Sequence, residues 1–300
     1  MSAPGLVVVR AGLHTTVQDG GRWGHQHLGV PVGGALDPDA LRQANRLVGN
    51  VPGEAALEVT LVGCALRAEV SMRVAVTGAT FDVRVDGRDV ESCRVLDLLP
   101  GQVLDLGERR RGARAYVAVR GGIDTPVILG SRSAWPLLPR RGALADGDRL
   151  PIGTCVAAPV HEAAVEGVPR SNVLRVLPGP DLPAAPHALA VLCAAAYRVS
   201  AAASRMAYPL DGAAVPLVTP DRASSGTVSG AIQILPSGLP VLLMAERPTT
   251  GGYPIAAVVI TADVGQAAQL APGDQVRFVP VDHDVAVRAL LQHASGPEGR

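Results

Sequence analysis

The apolar runs of this chain are four to six residues long, and Gly, Pro and Asp close them off again and again. That pattern belongs to strands bounded by turns rather than to long amphipathic helices. Such runs occupy Leu6 to Val9, Leu57 to Val62, Met72 to Val76, Tyr116 to Val119, Val173 to Leu177, Pro240 to Met244, Ile255 to Ile260 and Gln275 to Val279. The segment FDVRVDGRDV, from Phe81, alternates apolar and polar positions around Asp86-Gly87. This pair suits a two-residue hairpin, because glycine tolerates positive φ. The fold class expected is mainly β.

Few helices are expected. Asp37-Pro38-Asp39 predicts a capped helix running to about Val48, with proline at its first position and Gly49 as the stop. Asp263 is read as the opening of a short helix ending near Leu270, and Asp284 to His293 as a C-terminal helix. A further short helix is placed near Pro186 to Ala195. Between Thr154 and Ser171 the texture turns rich in Ala, Pro and Glu and loses strand alternation. Residues 156–170 are therefore read as a linker between domains 1–155 and 171–300. With 48% hydrophobic residues, 300 residues suffice for two domains of ordinary size. A pattern of Gly-(Asp/Gln)-x-(Val/Leu) occurs as GQVL from Gly101, GDRL from Gly147 and GDQV from Gly273. It hints at related β units, although any turn followed by a strand could produce it.

Composition excludes several chemistries. All 27 basic residues are arginines, and they balance 27 acidic ones. Without lysine there is no Schiff base, no Walker-type phosphate loop and no Ser/Lys amidase or β-lactamase-like nucleophile. The neutral balance and only eight aromatic residues argue against a nucleic-acid binder. Four cysteines, Cys64, Cys93, Cys155 and Cys193, are widely spaced, with no CxxC and no histidine at ligand spacing. Neither a disulfide framework nor a metal site is expected. No apolar run approaches the roughly 18 residues of a membrane span, and the N-terminus lacks a signal-peptide pattern. The expectation is a reduced, cytoplasmic protein with no membrane partner.

Four segments carry polar chemistry. Thr15 to Asp37 holds six glycines together with Gln18, Asp19, Arg22, His25, His27 and Asp37. Dense glycine lets the backbone approach a ligand closely and present N–H groups to an anion or oxyanion. The alternative is a turn-rich loop that only packs over the rest of the fold. ERPTTGGYP, from Glu246 to Pro254, sets two threonines and Gly251-Gly252 between two apolar strands, with Glu246 and Arg247 at the entrance. A plain strand connection, its threonines satisfying the turn, would look the same. RMAYPLDG from Arg205 and SSGTVSGAIQ from Ser224 to Gln233 complete the set; in both, the bland alternative is a surface hairpin, with Met206 and Tyr208 in the core.

In order and spacing, along nearly the whole chain, these segments resemble the biotin-dependent carboxyltransferase family. This is the group that includes the C subunit of 5-oxoprolinase, allophanate hydrolase subunit 2 and the urea amidolyase-related, Kip-type proteins. LEVTLVG from Leu57 and AYVAVRGGIDTPVILGSRS from Ala115 to Ser133 extend the match. The resemblance implies a cyclophilin-like β-barrel in the C-terminal half, a related β-rich N-terminal half and a ligand cleft. It implies Arg247, Thr249, Thr250 and Tyr253 as catalytic residues. Gln18, Asp19, Arg22, Asp37, Arg205, Gln233, Gly251 and Gly252 are implied as substrate-binding.

The implied function is that of a subunit of a heteromeric amide-processing enzyme. Its chemistry would be ATP-dependent cleavage of 5-oxoproline, a lactam, to glutamate, or biotin-dependent carboxyl transfer to an amide or urea-like acceptor. A sister cyclophilin-like subunit, encoded separately, is the implied partner, with further 5-oxoprolinase or biotin carboxylase subunits in the complex. No Met-Lys-Met sequence is present, so biotin would ride on another chain and nothing would be bound covalently here. The isolated chain is expected to be inactive, because no nucleophile–base pair can be assembled from its motifs. Several positions depart from the family pattern: Ala203 and Ser204 replace Ser-Asp, Ser225 and Glu246 stand at Glu and Asp positions, and Pro248 and Ile255 stand where Gln and Lys flank TTGGYP. These departures keep a second reading open, a non-catalytic binding or regulatory module of a Kip-type complex.

Overall fold

The computed structural model describes residues 5–135, 137, 142–154, 171–184, 187–216 and 223–295. The expected linker, 156–170, lies outside the described residues. The chain divides into two compact units, one of Met1–Gly24 and Val32–Pro169, the other of His25–Pro31 and Arg170–Arg300. Both are β-rich, as the sequence pattern requires.

In the first unit the elements are β1 (Gly5–Arg10), β2 (His14–Gln18), α1 (Pro38–Val48), β3 (Ala56–Thr60), β4 (Ala65–Ala68), β5 (Met72–Val85), β6 (Arg88–Asp89), β7 (Val95–Leu98), β8 (Val103–Val119) and β9 (Arg149–Pro151). All nine strands form one antiparallel sheet in the order β2-β3-β8-β4-β1-β9, with β5 laid along β8 and carrying β6 and β7. Inward-facing Val and Leu side chains of these strands, among them Val8, Leu57, Leu66, Val74, Leu104 and Val117, are buried in one core. On the other face α1 buries Ala40, Leu41, Ala44, Leu47 and Val48 against Ala56, Ala75, Ala118 and Tyr116. Three alanines under the helix let it approach the sheet closely, a fit of shape that a larger residue would break. Its ends follow the sequence: the Asp37 carboxylate accepts the Ala40 N–H at 3.0 Å, and Gly49 closes the helix at φ 75°.

Asp86 and Gly87 take φ 49° and 78°, the paired positive values of a tight hairpin turn, and join β5 to β6 as read from the sequence. The sequence reading missed β2, taken as loop, and most of β8, of which it saw only Tyr116 to Val119. Residues Gly107 to Arg114 of β8 are polar, and β5 pairs with them through three register shifts between Gly78 and Val83. Bulges interrupt the period-2 alternation by which a strand is recognised.

The second unit contains β10 (Val173–Pro178), α2 (Ala188–Ala194), β11 (Ala196–Val199), β12 (Ala207–Asp211), β13 (Ser225–Gly226), β14 (Ala231–Ile234), β15 (Pro240–Leu243), β16 (Thr250–Gly251), β17 (Ile255–Val259), α3 (Thr261–Ala267), β18 (Gln275–Pro280) and α4 (His283–Ser295). Seven strands close into a barrel, β10-β17-β14-β15-β12-β11-β18, and β18 returns to β10 in parallel. Alternate positions such as Leu174 and Val176, Tyr208 and Leu210, Ile232 and Ile234, and Val276 and Phe278 are almost fully buried. Met206, by contrast, is exposed.

One helix start differs from expectation. α3 begins at Thr261, and Asp263 lies inside it, buried, rather than capping it. Its carboxylate holds Arg175 of β10 through Nε at 3.0 Å, Nη2 at 2.7 Å and the backbone N–H at 2.8 Å. An acidic residue near a helix start signals a cap only when no arginine of a neighbouring strand claims it.

The repeated Gly-(Asp/Gln) pattern folds into the same turn three times, twice in the first unit and once in the second. Gly101, Gly147 and Gly273 have φ of 88°, 87° and 92°. Each glycine N–H donates to one strand residue, Ala68, Val8 or Val199, whose own N–H donates to the carbonyl of the following residue, Gln102, Asp148 or Asp274. The side chain of that residue then accepts a backbone N–H three positions earlier, at 2.8 to 2.9 Å.

Candidate functional site

In the first unit the glycine-rich segment is pinned from within. Asp19 Oδ1 accepts the Gly21 N–H at 2.8 Å and the Ser131 hydroxyl at 2.7 Å, and also the Ser133 hydroxyl; Oδ2 accepts the Arg132 N–H. Arg22 is 1% exposed, donates to the carbonyls of Ile128 at 3.1 Å and Ser133 at 2.8 Å, and lies 6.0 Å from the Trp135 ring. Gly34 has φ 79°, and a Cβ there would stand 2.8 Å from the Gly21 nitrogen and 2.9 Å from the Asp19 carbonyl oxygen. Backbone thus packs on backbone, which glycine alone allows. Gln18 is fully buried, its Nε2 donating to Thr16 Oγ1 at 3.0 Å. Asp37 is occupied as the cap of α1, and its N–H donates to the Tyr116 hydroxyl at 2.8 Å.

Behind Asp37 lies a buried polar cluster that the sequence reading did not single out. Tyr116 donates to Glu58 Oε2 at 2.7 Å, Leu36 N–H donates to the same oxygen at 2.9 Å, and Arg114 stands 3.7 Å from Oε1. Glu58 and Tyr116 face one another across β3 and β8. Burial, reinforced by the Glu58 charge, pushes the Tyr116 phenol well above its usual range, so it remains a donor. A glutamate inside the apolar run LEVTLV was the available signal.

In the second unit the three later motifs come together. β13, from SSGTVSGAIQ, pairs with β16, from ERPTTGGYP, through Ser225 with Gly251 and Gly226 with Thr250. Thr227 extends the junction: its N–H donates to the Thr249 carbonyl at 3.0 Å and its hydroxyl to that of Pro248. Arg205 of RMAYP forms a buried ion pair with Glu246 at 2.6 Å, and its carbonyl accepts the Glu246 N–H. Gln233 Nε2 donates to the Tyr253 carbonyl at 3.4 Å. Thr249 is half-buried, whereas Thr250, Gly252 and the Tyr253 side chain are exposed. Neither Gly251 nor Gly252 has positive φ. Gly251 is instead small for want of room, since a Cβ would come 2.9 Å from Gln233 Nε2.

Arg247 stands apart from the other arginines of the two sites. It is 8% exposed, and the one hydrogen bond of its side chain among the described residues runs from Nη2 to the Thr227 carbonyl at a long 3.4 Å. Nε is buried without a partner among the described residues. Burial lowers its pKa, yet a guanidinium stays charged at neutral pH. A buried cation with idle donors is suited to a carboxylate or carbonyl oxygen.

Thus Gln18, Asp19, Arg22 and Asp37 gather in the first unit, and Arg205, Gln233, Arg247, Thr249, Thr250, Gly251, Gly252 and Tyr253 in the second. Among the described residues, no helix is long and apolar enough to cross a membrane. Known proteins share both the sequence and the fold. The family model for the carboxyltransferase domain, subdomain A and B, matches residues 28–280. The C subunit of 5-oxoprolinase from Escherichia coli is 38% identical, over 95% of this chain and 94% of its own. Its namesake in Haemophilus influenzae is 32% identical, over 91% and 90%. The crystal structure of Kluyveromyces lactis urea carboxylase superposes with a TM-score of 0.88 at 26% identity, over 100% of this chain and 30% of that one. The chain belongs to the family of carboxyltransferase domains, subdomains A and B.

Proposed function

We propose that this chain is one subunit of a heteromeric enzyme that processes an amide, and that its substrate is 5-oxoproline, opened to glutamate at the expense of ATP. The observation that carries this reading is Arg247, buried and with an unpartnered Nε. Of the three arginines that the family resemblance implies for the site, Arg22 serves backbone carbonyls and Arg205 serves Glu246. Arg247 has donors to spare. 5-Oxoproline brings one carboxylate, which a guanidinium takes in bidentate fashion; urea brings none. In this reading Thr249, Thr250, Tyr253 and the Gly251-Gly252 backbone line the site around Arg247. Gln18, Asp19, Arg22 and Asp37 hold the glycine-rich segment of the first unit in shape. The identity to the C subunits of two 5-oxoprolinases supports the choice. A chain without lysine has no Walker-type phosphate loop, so the ATP of this reading is assigned to the complex and not to such a loop here.

Biotin-dependent carboxyl transfer is the second reading, favoured by the fold match to urea carboxylase. Biotin, carried on another chain, would supply a carboxyl group to the acceptor. Its ureido oxygen requires N–H donors, and the unpartnered Arg247 Nε fits that need. The test is to copurify the chain with its sister subunit and the remaining 5-oxoprolinase subunits and to measure ATP-dependent glutamate release from 5-oxoproline. Turnover by the complex and none by the single chain is expected. Absence of turnover in the complex, or hydrolysis by the chain alone, overturns the proposal.

A further inference from the structure

We infer that Thr227 is a positioning residue for Arg247: its hydroxyl and its carbonyl hold the guanidinium in the pose that offers Nε to a carboxylate. The inference deepens the function proposed above and rests on it. The base of the Arg247 side chain is fixed from both directions along the chain. Its N–H donates to the Met244 carbonyl at 3.2 Å, closing a turn, and the preceding Glu246 is tied to Arg205 by an ion pair of 2.6 Å and a backbone bond of 3.0 Å. Pro248 follows, and a proline steers the residue before it to extended backbone. What is left to fix is the far end of a long, flexible side chain, and that falls to Thr227.

Thr227 reaches the segment 247–249 through three bonds. Its N–H donates to the Thr249 carbonyl at 3.0 Å, its hydroxyl to the Pro248 carbonyl, and its own carbonyl accepts Arg247 Nη2 at 3.4 Å. The residue is 6% exposed, so deleting one of these partners leaves the other short of a bond that water does not replace. An acceptor at 3.4 Å is too distant to satisfy the guanidinium, yet close enough to orient it. Nε, buried and without a partner among the described residues, is thereby kept open for a ligand. The hydroxyl decides where that acceptor stands. It ties Thr227 to the residue that follows Arg247, so the acceptor and the base of the side chain move together. Pre-organising a charged fork in this way spares a ligand the entropy of ordering it. A threonine that merely joined β13 to β16 would serve their pairing and leave the guanidinium indifferent to its hydroxyl.

Thr227→Val keeps the shape of the side chain and deletes the hydroxyl, whereas Thr227→Ser keeps the hydroxyl. In the full-length chain carrying isotope-labelled arginine, the Nε–H resonance of Arg247 is identified by its loss in Arg247→Leu. Its exchange with water should speed up about fivefold in Thr227→Val, the worth of one hydrogen bond, and return to the wild-type rate in Thr227→Ser. In the copurified complex, Thr227→Val should raise the KM for 5-oxoproline about fivefold with kcat held within about twofold, and Thr227→Ser should restore it. An Nε–H that Thr227→Val leaves unmoved, or a KM that stays level while the midpoint falls, overturns the inference with the proposed function intact. A wild-type complex without turnover removes the proposed function, and the Nε–H exchange still decides whether Thr227 positions the guanidinium.

Discussion

The two units bury the same kinds of polar residue and use them in opposite ways. In the first, Asp19, Arg22, Asp37, Glu58 and Tyr116 hold one another or the backbone at ordinary hydrogen-bond distances. In the second, the Arg247 side chain is nearly as buried, yet it makes a single hydrogen bond, of 3.4 Å, among the described residues and leaves Nε without a partner there. The difference lies in charge and not in every polar atom: Gln18 Oε1 of the first unit is also buried without a partner among the described residues, but it is neutral, whereas Arg247 is a buried cation with an unpartnered Nε. The distinction has measurable consequences.

The largest effect is expected at Asp19. Asp19→Ala strands four donors, from Gly21, Ser131, Arg132 and Ser133. The chain should lose about 3 kcal/mol or more in urea denaturation. A near-neutral result would show that the first unit's network is not what holds its loop.

Arg247→Leu should do the reverse. It removes an uncompensated buried cation, so the midpoint should stay level or rise, while 5-oxoproline turnover by the complex falls about a hundredfold or more. A large loss of stability with activity intact would erase the contrast between the units.

The closed core of the first unit makes a pH prediction. Burial pushes the Cys64 thiol from 9.0 up to about 12. Because this folded-state pKa lies above the unfolded value, the stabilisation is complete below pH 9 and is lost as pH rises towards 12. Urea denaturation at pH 10 should show the wild type losing about 1.4 kcal/mol relative to neutral pH beyond what Cys64→Val loses. The Tyr116 phenol, also raised, pushes in the same direction and leaves the variant a residual slope. Parallel losses in both proteins would mean that the thiol is not shielded.

The smallest effect belongs to Gly251→Ala. The new methyl meets the movable end of Gln233, not backbone, and no positive φ is at stake. Stability should change by about 1 kcal/mol or less. The affinity of the complex for 5-oxoproline should nonetheless fall several-fold if the turn lines the proposed site. Normal affinity with a lowered midpoint would make the turn a connector only.

What the sequence disclosed was local. The α1 boundaries were legible because Asp37, Pro38 and Gly49 each act within one turn of the chain, and the Asp86-Gly87 hairpin was legible for the same reason. β8 was mostly hidden, because its polar middle is strand only through bulged pairing with β5. Asp263 misled because its partner, Arg175, is 88 residues away. The motif-bearing residues of the second unit were all named in advance. That Arg247 is idle while Arg205 is paired became visible only when Glu246 was seen to reach back to a strand hairpin earlier. Glu58, Tyr116 and Arg114 went unnoticed because cross-strand register, which no single run encodes, makes them neighbours.

The barrel of the second unit is fastened by its first strand against its last, β10 in parallel with β18. During synthesis, Val173 leaves the ribosome about a hundred residues before its partner Arg277, and at roughly 5–20 residues per second the opening strand waits several seconds or more with its edge unpaired. Nascent chains should therefore stay protease-sensitive across the second unit until β18 has emerged, and a truncation before Gln275 should yield a chaperone-bound or aggregating product instead of a smaller barrel.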